Sequence, residues 1–386
     1  MIETVKKEYC TGCGACKAIC PKKAIEMKVY KNTGFLHPVI NADICIDCGL
    51  CKKACPVLKQ KQDSDFEKRV FAMYSNDEEM RLKSSSGGVF SLFAEKVLLK
   101  NGMVFGVSMS EDCLIAKHVS IENTDDLAKL RGSKYLQSDT KNSYSEVKKA
   151  LIDKKVVLFS GTPCQVAGLK AFLGTDYENL ITVDFICHGV PSPLAWKKYV
   201  EYREEKAASK TRRTFFRYKK NGWKTFSVQF VFENCTEYIQ ILTKDLYMRG
   251  FLADLFLRPS CFNCQFKDNN YQSDITLADF WGVDEVIPEW NDDKGVSLVV
   301  TNTQKGSFLI NQIKENAVLK SADFKSAFIG NPSYFESVRR KFVAKKVFKD
   351  LNRLPFNKFI EKYVGSSMKS KILRKIHRGC ARLYKR

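Results

Sequence analysis

The strongest constraint on this chain is a cysteine pattern that occurs twice within its first 56 residues. Each copy reads C-x2-C-x2-C-x3-C-P, and the copies run over residues 10–21 and 45–56. Eight of the fifteen cysteines fall in these two copies. Three closely spaced thiolates on one loop can hold three corners of a cubic metal cluster, whereas the fourth, one turn of chain later, points elsewhere. A segment of this size buries little apolar surface, so we expect metal ligation to hold it together.

The spacing is typical of bacterial-type ferredoxins, which carry two 4Fe-4S clusters and in which the fourth cysteine of each motif ligates the other cluster. It predicts two sets of four ligands, namely Cys10, Cys13, Cys16 and Cys55, and Cys45, Cys48, Cys51 and Cys20. Zinc and disulfides are the alternatives. Zinc sites prefer paired C-x2-C knuckles, and disulfides do not suit a reducing cytosol, so the pattern favours clusters.

Charge and hydropathy indicate where the protein works. No stretch approaches 18 consecutive apolar residues, and the first motif begins too close to the N-terminus for a signal peptide, so we expect a cytoplasmic protein. The formal net charge is +21. Of this charge, +15 lies between Ser337 and the C-terminus, a segment with 17 Lys and Arg and only two acidic residues, Asp350 and Glu361. The basic character therefore belongs to the C-terminal tail.

From Lys369 this tail reads as a short basic helix with apolar residues near one face. Such a helix suits an anionic membrane surface, which would make the protein peripheral to the membrane, or an acidic partner protein. A solvated helix packed on the body is the alternative. We expect no nucleic acid, because no recognised binding motif or regular aromatic interleaving accompanies the charge.

A βαβ unit occupies the middle of the chain. Residues 156–159 read as a buried strand, 165–173 as a helix closed by Gly174, and 180–186 as a second strand. Strands joined by one crossover helix run parallel, so Cys164 and Cys187, which follow the two strands, should meet at one edge of the sheet. Open α/β sheets bind ligands at that edge.

Two further patterns bear on this edge. Cys261 and Cys264 form a C-x2-C pair, which with Cys164 and Cys187 would complete a third metal site. A zinc site that includes His188, or cysteines that only pack as small apolar residues, are the alternatives. The run Ser84–Gly88 precedes a helix whose free N-terminal amides could bind phosphate, although a serine-rich helix cap reads the same way.

The ordered motifs resemble one family. The run from Ser84 to Gly88, Gly132–Tyr135, Gly161–Gln165, Cys187–Ser192, Cys261-x2-Cys264 and the stretch from Ser273 to Gly282 appear in sequence. Together with the ferredoxin motifs they resemble the coenzyme F-420 hydrogenase/dehydrogenase beta-subunit family, over the chain to about Arg340. This chain has Ala278 where the family usually has glycine before Asp-Phe-Trp.

The resemblance implies a flavin, normally FAD, beside a third 4Fe-4S cluster held by Cys164, Cys187, Cys261 and Cys264. It also implies flavin contacts from Ser84, Ser85, Ser86, Gly87, Gly88, Gly132, Ser133, Lys134, Tyr135, Gly161, Thr162 and Pro163. Lys134 would then place positive charge near the flavin or its pyrophosphate. A solvated surface lysine is the alternative for Lys134.

We therefore predict an α+β or α/β protein in which a small ferredoxin-like domain precedes a larger α/β flavin-binding domain with a mixed sheet. The predicted boundaries are 1–58 for the ferredoxin domain, 59–70 for a linker, 71–330 for the large domain and 331–386 for a basic helical tail. The predicted function is an oxidoreductase that passes electrons between clusters and a flavin, which exchanges a hydride with a small redox substrate, F-420 among the candidates. The alternative is an electron-relay or adaptor subunit without substrate chemistry. A ferredoxin or another redox protein is the expected electron partner.

Overall fold

In the computed structural model, residues 5–59 and 66–365 are described. The first segment folds as a small module with two short helices and one hairpin, α1 (Ala15–Ile19), β1 (Ile25–Val29), β2 (Leu36–Ile40) and α2 (Leu50–Lys53). Both helices begin directly after a glycine in the left-handed conformation, Gly14 (φ 83°) and Gly49 (φ 74°). The third cysteine of each motif is thus the second residue of a helix, so the two copies of the cysteine motif have the same local structure.

A nine-stranded mixed sheet forms the centre of the large domain. Its strand order is β14-β3-β13-β12-β8-β7-β4-β5-β6. The strands are β3 (Arg69–Ser75), β4 (Met103–Met109), β5 (Ala116–Ile121), β6 (Ser138–Asp139), β7 (Val157–Ser160), β8 (Leu180–Phe185), β12 (Ile275–Asp279), β13 (Ser297–Thr301) and β14 (Ala317–Ser321). The pairs β4/β7, β7/β8 and β8/β12 are parallel, whereas β12/β13, β13/β3 and β4/β5 are antiparallel. The predicted mixed α/β fold is confirmed.

Helices cover both faces of this sheet. They are α3 (Glu78–Lys83), α4 (Val89–Leu98), α5 (Leu127–Leu130), α6 (Ser143–Ile152), α7 (Pro163–Leu173), α10 (Val283–Val286), α11 (Gln304–Ile313) and α12 (Phe324–Ala327). Helices α4 and α11 bury their apolar residues on one face. Helices α6 and α7 cover the other face, where Cys13 and Ala15 of the ferredoxin module share their core.

A second sheet and its helices complete the domain. The strands β9 (Thr211–Tyr218), β10 (Ser227–Phe232) and β11 (Glu237–Ile241) are antiparallel. They pack with α8 (Pro193–Ala207), α9 (Leu246–Leu252), α13 (Ala344–Arg353) and α14 (Phe356–Val364) around the buried Trp196. The two last helices thus belong to this core, although the sequence places them within the predicted tail. The basic helix expected from Lys369 lies outside the described residues.

The sequence pattern predicts a helix over 243–257 and another over 304–317, and both helices are shorter in the structure. The helix expected over 243–257 is the shorter α9, because Asp245 caps its start by accepting a hydrogen bond from Met248 N at 2.9 Å, and Asp254 follows in a left-handed conformation (φ 61°). The helix expected over 304–317 ends at Ile313, since Ala317 already begins the edge strand β14. Strands β3 and β14 have no counterpart in the sequence-based assignment.

Candidate functional site

The first predicted ligand set surrounds a cavity in the ferredoxin module. Cys10, Cys13, Cys16 and Cys55 all line this cavity, which measures about 400 Å³. Burial, with smaller contributions from the neighbouring Cys55 and Cys10, raises the pKa of the Cys13 thiol to about 12. The fourth cysteine of the second motif therefore lies with the first three cysteines of the first motif. Four thiols around one enclosed volume are the donor set that a cubic cluster requires.

The second predicted set is brought together at the surface. Cys20, Cys45, Cys48 and Cys51 line a smaller recess, in which Cys48 is exposed. The apolar side chains of Ile46 and Leu50 beside this recess are also exposed. The first set is thus the inner set of the module and the second set is the outer one.

Arg258 joins the inner set to the large domain. Its guanidinium is buried and donates to Cys10 O at 2.7 Å and Leu36 O at 2.8 Å, and it reaches Cys10 Sγ at 3.9 Å. Within the described part of the chain, no carboxylate forms a salt bridge with Arg258. A buried cation needs a counter-charge, and cysteine thiolates around a cluster would supply one. The residues present therefore fit an anionic group in the inner cavity.

Gly12 makes this junction close. A Cβ atom at Gly12, whose φ is 69°, would lie 2.6 Å from Gln137 Nε2 and 2.9 Å from Arg258 Nη1. Any side chain would therefore separate the module from the large domain. Gly12 is therefore needed for the packing of the module against the large domain.

The predicted third ligand set gathers at the edge of the sheet. Cys164 lies in the first turn of α7, directly after β7, and Cys187 follows β8, so the parallel pair places them as its topology requires. Burial is the main cause that raises the pKa of Cys187 and of Cys261 to about 12. Cys261 and Cys264 contribute to the rise at Cys187, and Cys264 and Cys164 contribute to it at Cys261. The four thiols are thus within electrostatic reach of one another.

His188 does not join this set through its Nε2 atom. That atom instead lies 2.6 Å from Asp254 Oδ1, and Asp254 Oδ2 in turn accepts from Lys341 Nζ at 2.7 Å. Over residues 5–59 and 66–365, no group of three or more His, Cys, Asp or Glu has the spacing to hold a metal ion.

One helix connects the inner set to the third set. Gly168 lies one turn after Cys164 on α7, and a Cβ atom there would meet Cys13 Sγ at 3.0 Å. Cys13 also contributes to the raised pKa of Cys164, after burial and the closer cysteines. A side chain at position 168 would crowd Cys13, so this glycine lets the first motif approach α7 closely.

A cavity of about 760 Å³ lies at the carboxyl ends of the parallel strands. Cys164 and Cys187 form part of its wall. So do ten of the twelve predicted flavin contacts, Ser84, Ser85, Ser86, Gly88, Gly132, Ser133, Lys134, Tyr135, Gly161 and Thr162. Gly87 and Pro163 are not in this wall. Gly87 is tied to β13 through its amide, which donates to Ser297 Oγ at 3.0 Å, and Pro163 begins α7.

The environment of Lys134 contradicts the surface-lysine interpretation. Its ammonium donates to Leu130 O at 2.8 Å and Arg131 O at 2.9 Å, at the end of the short helix α5. Burial lowers its pKa to about 7. The side chain is therefore not a solvated surface lysine, and its donors are largely used by the backbone.

Sequence reasoning missed a buried ion pair in the cavity wall. Arg217 donates to both carboxylate oxygens of Asp279, at 2.8 and 2.9 Å, and to Ser85 O at 3.1 Å. Trp223 Nε1 also donates to Asp279 Oδ1, at 2.7 Å. The Asp-Phe-Trp run that begins at Asp279 was a usable signal. Arg217 gave none, because it lies in an ordinary alternating strand.

Comparison with known families identifies the kind of protein. Residues 9–58 and residues 37–84 match two families, each described as a 4Fe-4S dicluster domain. The chain is therefore an iron–sulfur redox protein. Residues 154–327 match the family described as the C terminus of the beta subunit of coenzyme F420 hydrogenase/dehydrogenase. This match confirms, over residues 154–327, the resemblance read from the motifs.

A solved structure with a similar chain is titled as the F420-reducing NiFe hydrogenase complex from Methanosarcina barkeri. The similarity covers 80% of this chain and 97% of that chain, at 17% sequence identity and a TM-score of 0.48. No curated protein matches the sequence. In the part of the chain that the structure describes, no helix is long and apolar enough to cross a membrane.

Proposed function

We propose that the protein is an iron–sulfur flavoprotein oxidoreductase, which holds FAD in the 760 Å³ cavity and three 4Fe-4S clusters on its twelve motif cysteines. The observation that carries this proposal is that Cys164 and Cys187 lie in the wall of the same cavity as the serine- and glycine-rich loops. When bound, a flavin exchanges electron pairs as hydride, whereas clusters carry single electrons, so their contact converts one mode of transfer into the other.

The cavity has the features that a dinucleotide requires. Helix α4 begins at Val89 after Gly88 (φ 88°), and no side chain caps its first amides. Free amides and the positive end of the helix dipole favour a phosphate at this position. Ser133 N donates to Ser85 Oγ at 2.7 Å, which joins this loop to the loop at 132–135. The wall also offers the apolar side chains of Phe226 and Phe251, which suit an aromatic ring system.

The different burial of the three thiol sets suggests the route that electrons take between a partner protein and the cavity. The outer set at the exposed Cys48 would meet a redox partner protein such as a ferredoxin, and the buried inner set would pass electrons along α7 to the third set. The third set then adjoins the cavity. The hydride partner is a small redox molecule, for which F-420 remains one candidate and nicotinamides are others.

A pair of tryptophan substitutions tests the flavin site. Ser85→Trp should fill the cavity and abolish flavin retention, whereas Leu82→Trp, on the exposed side of the same segment and outside the cavity wall, should retain it. Flavin released from anaerobically purified, reconstituted protein would be measured by fluorescence after denaturation. Equal flavin content in both variants would contradict the placement of the flavin. A separate screen of hydride donors, with viologen as acceptor, would identify the substrate of the intact protein.

The third cluster is tested separately. Cys261→Ser should remove about four of about twelve iron atoms per chain and leave the ferredoxin clusters in place. Loss of zinc instead of iron would make the site a zinc site. A wild-type protein with about eight iron atoms and no flavin would support the electron-relay alternative, because such a chain could carry electrons without substrate chemistry.

A further inference from the structure

A buried acid in the cavity wall has no role in the function proposed above. Asp184 is the fifth residue of β8, is completely buried, and lies in the wall of the 760 Å³ cavity. Its Oδ1 atom accepts a hydrogen bond from Thr276 Oγ1 at 2.7 Å. Its Oδ2 atom has no hydrogen-bond partner among residues 5–59 and 66–365. An ionised carboxylate in this position is costly, so the site favours a carboxyl group that holds a proton.

The surroundings of Asp184 do not neutralise it by contact. Lys170 on α7 and Lys68 before β3 are the charges that act on Asp184, and neither forms an ion pair with it in the described part of the chain. Tyr271 and Tyr334, which stack with ring centroids 4.7 Å apart, are electrostatically coupled to Asp184 from the segments before β12 and after α12. Burial raises the pKa of Asp184 to about 7, although the hydrogen bond from Thr276 and the polar side chain of Ser273 act in the opposite direction. The carboxyl group can therefore gain and lose a proton near neutral pH.

The chemistry of the cavity requires such a group. A hydride is two electrons and one proton, and the clusters accept only the electrons. When a hydride is given up in the cavity, H⁻ becomes H⁺ and two electrons, which leave one at a time through the third set of thiol ligands. The proton needs a base inside the cavity, because water is largely excluded from a buried site. The reverse reaction needs the same group as an acid.

From this geometry we infer that Asp184 is the proton carrier of the cavity, which takes up the proton released when a hydride is split into two electrons and supplies it in the reverse reaction. The inference rests on the proposed function, since it needs hydride exchange in the cavity. Asp184 holds the proton on Oδ2, and Thr276 fixes the other oxygen. This inference gives a role to Thr276, which lies in the stretch from Ser273 to Gly282 that contributes to the family resemblance.

Aromatic and basic side chains surround this part of the cavity wall. The hydroxyl of Tyr271 is buried and, within the described residues, has no hydrogen-bond partner, and it is electrostatically coupled to Asp184. Tyr334, stacked on Tyr271, accepts a hydrogen bond from Lys68 Nζ at 2.9 Å. Lys68 is only partly buried, so this group of side chains reaches solvent at Lys68.

Redox-triggered infrared spectroscopy of the reconstituted, flavin-loaded protein tests the inference. Electrons added to the cavity raise the proton affinity of a nearby carboxylate, so reduction at an electrode at pH 7.5 should produce a carboxylic acid band that shifts in D₂O. The band should disappear in Asp184→Asn and return, displaced, in Asp184→Glu. Asp274→Asn is the matched control, because Asp274 is also buried beside β8 but lies outside the cavity wall, and its two oxygens accept hydrogen bonds from Thr182 and Thr303.

The outcomes separate the two proposals. If flavin binds and cycles in the wild type but no carboxyl band depends on Asp184, the proton role is wrong and the proposed function stands. If no flavin is present, the proposed function fails first, as the visible spectrum shows directly. In flavin-loaded protein, photoreduction at pH 8 should be at least tenfold slower in Asp184→Asn than in Asp274→Asn, in line with the loss of a general acid. Equal rates in the two variants would also overturn the inference.

Discussion

Replacing Arg258 tests how the ferredoxin module is attached and how its inner cluster is tuned. In Arg258→Met, Cys10 O and Leu36 O lose donors at 2.7 and 2.8 Å, and Cys10 Sγ loses a positive neighbour. A hydrogen bond from a charged group contributes roughly 1.5–3 kcal/mol, and the guanidinium no longer has to be desolvated, which offsets part of the loss. We therefore expect the free energy of unfolding to fall by about 2–4 kcal/mol.

The redox potential gives a second readout that packing alone does not move. Removing a buried cation favours the more positive oxidised state of the neighbouring cluster, so the midpoint potential of one cluster should fall in Arg258→Met. Arg258→Lys keeps the charge but not the fork of donors. It should lose stability while its potential stays close to that of the wild type.

Denaturant unfolding and a redox titration followed by electron paramagnetic resonance measure these two effects. Arg249→Met is a suitable control, because Arg249 also donates to a backbone carbonyl, Val364 O at 3.0 Å, but lies away from the inner thiols. A potential that is unchanged or higher in Arg258→Met would refute the placement of a cluster at Cys10.

Three further predictions concern stability. Gly168→Ala should destabilise the protein by about 1–3 kcal/mol in thermal unfolding, because the new Cβ would press on Cys13 Sγ. Gly174→Asn is the control and should be nearly neutral, because the space around Gly174 is open. Equal destabilisation by the two substitutions would count against the contact between Gly168 and Cys13. Burial raises the pKa of Asp184 to about 7, above the unfolded value of 3.8, so its folded form holds the proton and stability should fall as pH rises from about 4 to 7. Asp184→Asn should remove up to roughly 4 kcal/mol of this pH dependence in denaturant titrations, and an unchanged slope would contradict it. Burial lowers the pKa of His118 to about 4, so the wild type should lose up to roughly 3 kcal/mol as pH falls from about 6.5 to 4, a loss that should be absent in His118→Phe.

The sequence predicted the thiol sets because their chemistry depends on local spacing and on one topological rule. The spacing of the motifs groups the first eight cysteines, and the βαβ unit brings Cys164 and Cys187 to one edge. Asp184, Arg217 and Arg258 could not be predicted in this way. Each acquires its role from partners far away in the chain, such as Thr276, Asp279 and Cys10, and nothing in the local pattern signals these partners.

The edge strand β14 was missed for a similar reason. The sequence pattern predicts a helix that runs to Ala317, and only pairing with β3 makes residues 317–321 a strand. Helices α13 and α14 show the same limit. Their lysines and arginines placed them in the predicted basic tail, whereas Leu351 and Phe359 are fully buried in the core around Trp196.

The central claim is that one chain holds three clusters and a flavin in a continuous arrangement. Iron and flavin analysis of the anaerobically reconstituted wild-type protein tests it most directly. The account predicts about twelve iron atoms and one flavin per chain, with the flavin reduced when electrons are supplied to the clusters. About eight iron atoms without flavin would contradict it, because the cavity and the four thiols at its edge would then have no redox group to hold.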